Sequence, residues 1–224
     1  MNQTVQDAAR FIDTTLQNEG TWYRSEEVES RLGGALSSYG ASVGAVRGTI
    51  RDAGTKFKGL AHDDVTALAS QLWGQPGPGR RAVYERRLAA VVLLQSSVRL
   101  LTNTDLTRIE GFVRSAQAAA LVDPLAIDVV GPLIAGLDVV GRVRADSVLD
   151  RWVRDPDGWL RRAALLSPLC GLRAGAGDWS RFVRHARSVL AEPNLTEDGG
   201  AAVAADAVSL VLAEMARRRP ELEF

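Results

Sequence analysis

The sequence predicts an all-α fold built from pairs of short, stacked helices. Three observations carry this expectation. Apolar residues recur at helical spacing along nearly the whole chain. Strand signals are scarce, with no long alternating apolar–polar run and no Asn-Gly hairpin turn. Tight polar turns separate the periodic stretches, and corresponding helices recur at about 35–45 residues, a HEAT-like period. Such repeats stack into a curved solenoid whose concave face is the usual binding surface. A compact, non-repeating helical bundle is the alternative.

The elements follow in order. A first helix is expected over residues 4–17, with Val5, Ala8, Ala9, Ile12 and Leu16 on one stripe and Gly20 as its stop. Further helices are read over 26–36 and 43–53. Another starts at the acidic pair Asp63-Asp64, which suits a helix N-terminus, and ends near Trp73. Gly74-Gln75-Pro76-Gly77-Pro78-Gly79 can hold no helix. It is read as a loop between N-terminal helices in residues 1–73 and a main repeat body over 80–224, all within one domain. The densest apolar helix is placed at 80–97. Next come 104–115, capped by Asn103 or Thr104, then 123–137, 146–153, 158–169 and 178–190. The last, 200–219, ends at Pro220.

Composition narrows the class. A chain of 224 residues with 46% hydrophobic and 24% charged residues is an ordinary globular domain, large enough to need no disulfide or metal staple. The single cysteine, Cys170, excludes an intrachain disulfide and a four-cysteine zinc site. Its apolar neighbours mark it as a buried thiol. Met1-Asn2-Gln3-Thr4 shows neither a basic leader nor an apolar signal core, and no run of about 18 uninterrupted apolar residues exists. The expectation is a cytoplasmic protein that does not enter a membrane and works as a monomer.

Charge is balanced, with 27 Lys and Arg against 27 Asp and Glu, so there is no overall basic excess of the kind nucleic-acid binders usually carry. The arginines are nonetheless clustered, at Arg80-Arg81, Arg86-Arg87, Arg161-Arg162 and Arg217-Arg218-Arg219. These clusters fit either a local basic face or ordinary solvated helix faces. His62 and His185 lack companions for a metal site, and His185, among arginines, reads as a surface residue. No nucleotide-binding glycine loop or serine nucleophile motif stands in its required context. Neither cofactor nor metal is expected.

Two stretches stand out. One is Ala119-Ala120-Leu121-Val122-Asp123-Pro124, with Gly131 eight residues beyond the aspartate. The other is Trp152-Val153-Arg154-Asp155-Pro156-Asp157-Gly158-Trp159-Leu160-Arg161-Arg162-Ala163-Ala164. Together they resemble the AlkD family of DNA alkylation repair glycosylases. Tyr39-Gly40 with Arg47, Tyr84-Glu85-Arg86 with Ala89-Ala90, and Ala207-Val208 with Leu212, Glu214 and Pro220-Glu221 extend the likeness in the family's order. Gly44 stands where the family's N-terminal signature has proline.

The resemblance implies a HEAT-like protein that grips double-stranded DNA on a concave face. It would release N3- and N7-alkylated purines without flipping the base into a pocket. It assigns Asp123 as the catalytic carboxylate, stabilising positive charge that grows on the deoxyribose. Arg162 would bind phosphate and help keep Asp123 ionised. Trp159 would pack beneath the strand, a role also open to Trp152, and Arg161, Arg86 and Arg47 are further DNA-contacting candidates.

The residues also admit plainer readings. Asp123 before Pro124 is a natural helix N-cap. Trp159 could be core. Arg161 and Arg162 point about 100° apart on a helix, so at most one faces a groove. Two family tryptophans are replaced, by Ala119 and Leu210, which leaves open a catalytically weak or inactive DNA-binding scaffold, or a solenoid that binds a protein.

Overall fold

The computed structural model describes residues 2–191 and 199–224, and among these the chain is helical without β-strands. Chain contacts divide it into two compact units, Met1–Leu101 and Thr102–Phe224.

The first unit holds α1 (Gln3–Asn18), α2 (Trp22–Arg31), α3 (Val43–Lys56), α4 (His62–Trp73) and α5 (Tyr84–Ser96). Asn2 starts α1 by accepting the Thr4 N–H at 3.1 Å, and Val5, Ala8, Ala9, Ile12 and Leu16 form its buried stripe as expected. Ser42 caps α3 through the Ala45 N–H. The Pro/Gly loop lies inside this unit, between α4 and α5, which pack on each other.

Helix α5 begins at Tyr84, four residues later than its apolar pattern suggests. Residues 82–84 instead pair with Ser37: Ser37 N–H donates to Ala82 O at 2.9 Å, and Tyr84 N–H to Ser37 O at 2.8 Å. In the first turn of α5, the fully buried Glu85 carboxylate accepts from Ser38 Oγ (2.6 Å), Tyr39 N–H (2.9 Å) and Gly40 N–H (2.9 Å). A buried carboxylate needs such donors. Gly40 is required there, since its φ is +78° and a Cβ would stand 2.1 Å from Thr21 O. The Tyr39-Gly40 and Tyr84-Glu85 elements are therefore two halves of one structural latch.

The second unit holds α6 (Asp105–Ala116), α7 (Ala119–Leu125), a π-helical turn (Ala126–Val130) and α8 (Gly131–Gly136). It continues with α9 (Val139–Trp152), α10 (Gly158–Leu166), α11 (Leu169–Arg173), α12 (Trp179–Leu190) and α13 (Gly199–Arg218). Asp138, Asp157 and Asp178 cap α9, α10 and α12 through the N–H groups of Gly141, Trp159 and Arg181. Thr104 makes no side-chain cap on α6. Instead the Asp105 carboxylate accepts the Thr102 N–H at 2.7 Å.

Helix α10 is the hub of this unit, packing on α13, α7, α6, α9 and α12. Ala163 and Ala164 are buried and small enough to admit these neighbours closely. Two glycines set contact distances. A Cβ on Gly131 would lie 2.3 Å from Ser167 O at the end of α10, and one on Gly158 would lie 2.1 Å from Gly200 O at the start of α13.

Two stretches, Ala119–Gly136 and Gly199–Arg218, are long and apolar enough by length and composition to cross a membrane. Both are packed here against α10.

Candidate active site

Asp123 sits inside α7, not at its start. The helix opens four residues earlier at Ala119, and Pro124 is accommodated within it. The N-cap reading is thereby overturned. Pro124 has no N–H to close the turn back to Ala120, and the chain widens into the π-helical turn immediately afterwards.

The widening has a geometric effect. On a regular helix, positions eight apart differ in direction by about 80°. A wider turn rotates less per residue. Asp123 and Gly131 consequently both meet α10, the first at Arg162 and the second at its C-cap residue Ser167.

Arg162 and Asp123 form a two-pronged pair. Nε donates to Oδ1 at 2.6 Å and Nη2 to Oδ2 at 2.8 Å. Arg162 Nη1 donates to Asp206 Oδ2 at 2.7 Å and to Val203 O at 3.0 Å, both on α13. The Arg162 side chain is 4% exposed, Asp123 23% and Asp206 70%. Burial opposes the Arg162 charge, yet the hydrogen bonds to Asp123 and Asp206 outweigh it and hold its pKa above the ordinary value.

This geometry revises the expected role of Arg162. Four of its five donors are engaged inside the protein, so it holds carboxylates and does not reach out to a phosphate. The arrangement fixes Asp123 in one orientation while its side chain stays partly open to solvent.

Asp206 escaped the sequence reading. It lies on a helix face with no distinctive spacing, and only the fold brings it to Arg162, 44 residues away. The replaced aromatic positions flank this group. Ala119 precedes Asp123 by one turn on α7, and Leu210 follows Asp206 by one turn on α13; both are half-buried. Trp159 is half-buried on α10, three residues before Arg162 and so on the same side of the helix.

The remaining candidates fall elsewhere. Trp152 is fully buried, with its indole N–H donated to Glu110 Oε2 at 3.0 Å, so its ring is core and offers no stacking face. Arg161 is also buried and donates to Pro156 O at 3.1 Å, inside the loop that leads into α10. In the first unit, Arg86 is buried against Asp13 (2.8 Å) and Gln71 O (2.8 Å), which makes it an internal tie and not a DNA contact. Arg47 is exposed on α3.

His185, expected at the surface, is buried on α12 with Nε2 2.7 Å from Asp150 Oδ1. Cys170 is half-buried, less enclosed than its apolar neighbours suggest. Among the described residues no group of three or more His, Cys, Asp or Glu is placed to hold a metal ion.

The tryptophan-rich element can now be read physically. Trp152 anchors the end of α9, and Asp155 binds Arg114 at 2.7 Å and the Asp157 N–H at 2.9 Å. Asp157 caps α10, Gly158 lets α13 approach, and Arg162 then arrives opposite Asp123. Most of the motif is a support that delivers one guanidinium to one carboxylate.

A comparison with curated proteins returns no significant match. A family model described as DNA alkylation repair enzyme matches residues 12–224, nearly the whole chain, so this chain belongs to the DNA alkylation repair enzyme family.

Proposed function

We propose that the chain is a DNA glycosylase that hydrolyses the N-glycosidic bond of cationic N3- or N7-alkylated purines in duplex DNA. The observation that carries this reading is the Asp123 carboxylate, clamped by a buried guanidinium yet partly open. Family membership supplies the DNA repair context.

The chemistry suits that arrangement. An alkylated purine already bears positive charge and leaves with the bonding electron pair as a neutral base, needing neither a general acid nor a metal. Positive charge passes to the deoxyribose. A fixed carboxylate stabilises it and orients a water, whose oxygen bonds to C1′ and whose proton is released. Because no base pocket is needed for this, the lesion can react without flipping. On this reading the helices form a HEAT-like stack with a concave face for DNA, and the protein acts as a cytoplasmic monomer.

The test is release of an N7-alkylguanine from duplex DNA by the native protein and by Asp123→Asn. Loss of about two orders of magnitude in the variant is expected for removal of a preorganised charge. Equal rates would remove Asp123 from the mechanism, and no release by either would end the glycosylase reading.

A second reading is a catalytically weak or inactive DNA-binding scaffold. Ala119 and Leu210 favour it, since neither side chain can stack on a sugar or base. DNA affinity that falls steeply with salt, without excision, would support it.

A further inference from the structure

We infer that Asp206 is a second carboxylate of the site, facing the cationic substrate together with Asp123. The inference rests on the glycosylase reading above and adds a residue to it.

The role of Asp206 is electrostatic. Asp123 with Arg162 alone is a pair of zero net charge, and a neutral pair offers a developing cation little attraction beyond its dipole. Asp206 joins the same guanidinium from α13, at 2.7 Å, and turns the group net negative by one charge. Burial distributes the roles. The cation of the group is 4% exposed, whereas the two carboxylates are 23% and 70% exposed. The positive centre is thus withdrawn behind two negative ones that solvent, or a substrate, can reach.

Asp206 also neighbours the positions at which the aromatic side chains are replaced. Leu210 stands one turn along the same face of α13, and Ala119 one turn before Asp123 on α7. With small or aliphatic side chains there, charge takes a share of the recognition that aromatic contact would otherwise supply.

The test uses the full-length protein and two duplexes, at one fixed salt concentration. One carries a pyrrolidine abasic analogue, protonated at the position of the sugar cation. The other carries the neutral tetrahydrofuran analogue. The variant Asp206→Asn keeps an oxygen acceptor for Arg162 Nη1 and removes only charge, so a merely structural role for Asp206 predicts no change in selectivity.

The expected result is loss of about tenfold in affinity for the pyrrolidine duplex, as for removal of one nearby, partly solvated charge, with the tetrahydrofuran duplex unaffected. Asp206→Glu should restore most of the preference. If Asp123→Asn lowers the preference but Asp206→Asn does not, the inference about Asp206 is overturned and the glycosylase reading stands. If the native protein shows no preference for the charged analogue at all, both fall.

Discussion

Trp152 donates its indole N–H to Glu110 across 3.0 Å, and this bond ties the end of α9 to α6. The same carboxylate accepts from Arg151 at 2.6 Å and Arg114 at 2.9 Å. Burial alone would raise the Glu110 pKa, but these three donors outweigh it and bring it down to about 2, from 4.5. A carboxylate depressed in the folded state stabilises the fold above its unfolded pKa and loses that contribution as pH falls through the folded value. Stability should therefore decline between pH 4.5 and about 2. Urea titrations across that range should show a shallower decline for Glu110→Gln than for the native chain. Glu110→Ala at pH 7, which orphans the Trp152 N–H, should cost about 2 kcal/mol.

Arg162→Ala should strongly destabilise the second unit. It removes a buried cation, leaves Asp123 without its clamp and opens a cavity, for a cost of about 3 kcal/mol. Arg162→Lys should recover part of the stability but little excision, because an ammonium cannot grip both carboxylate oxygens in one plane. A shift in urea midpoint at constant slope would report the first effect, and single-turnover excision the second. Excision by the lysine variant at the native rate would show that clamping is dispensable.

The glycines divide by what surrounds them. Gly131→Ala and Gly158→Ala force a methyl group to within 2.3 Å and 2.1 Å of backbone oxygens, so both should destabilise by about 2–4 kcal/mol. Gly111, inside α6, has open space at its Cβ position, and Gly111→Ala should stabilise by about 1 kcal/mol through helix propensity. Thermal melts of the three variants give the comparison directly.

Burial holds the His185 imidazole below its ordinary pKa, against the opposing pull of Asp150. The folded state therefore takes up a proton less readily than the unfolded chain. His185 disfavours folding as pH drops below 6.5, the unfolded value, and has no such effect above it. Unfolding free energy should be lower at pH 5.5 than at 7.5, and His185→Gln should reduce the difference. An unchanged difference would locate the acid sensitivity elsewhere.

Much of the helical framework was legible in the sequence because apolar spacing is a local signal. The α1 stripe needs only near neighbours, whereas the Asp138 cap went unread and with it the start of α9, at Val139 and not at residue 146. What the sequence hid is long-range. The late start of α5 depends on Ser37, more than forty residues away. Arg86 looks solvated until Asp13, 73 residues earlier, is brought beside it. His185 looks like part of a basic surface until Asp150 meets it from α9. At the site, Asp123 and Arg162 were visible through motif resemblance, whereas Asp206 was not, since a lone aspartate on a helix face carries no pattern of its own. Trp152 was misjudged because tryptophans that stack on a ligand and tryptophans that fill a core look alike in sequence.

The π-helical turn between Asp123 and Gly131 makes residue count, and not only residue type, a constraint on this chain. Shortening Ala126–Val130 by one residue would restore ordinary helical phase and swing either the acid or the glycine away from α10. The loop at residues 74–79 should accept insertions readily, whereas this apolar stretch, bland in composition, should tolerate side-chain exchange yet reject any change of length.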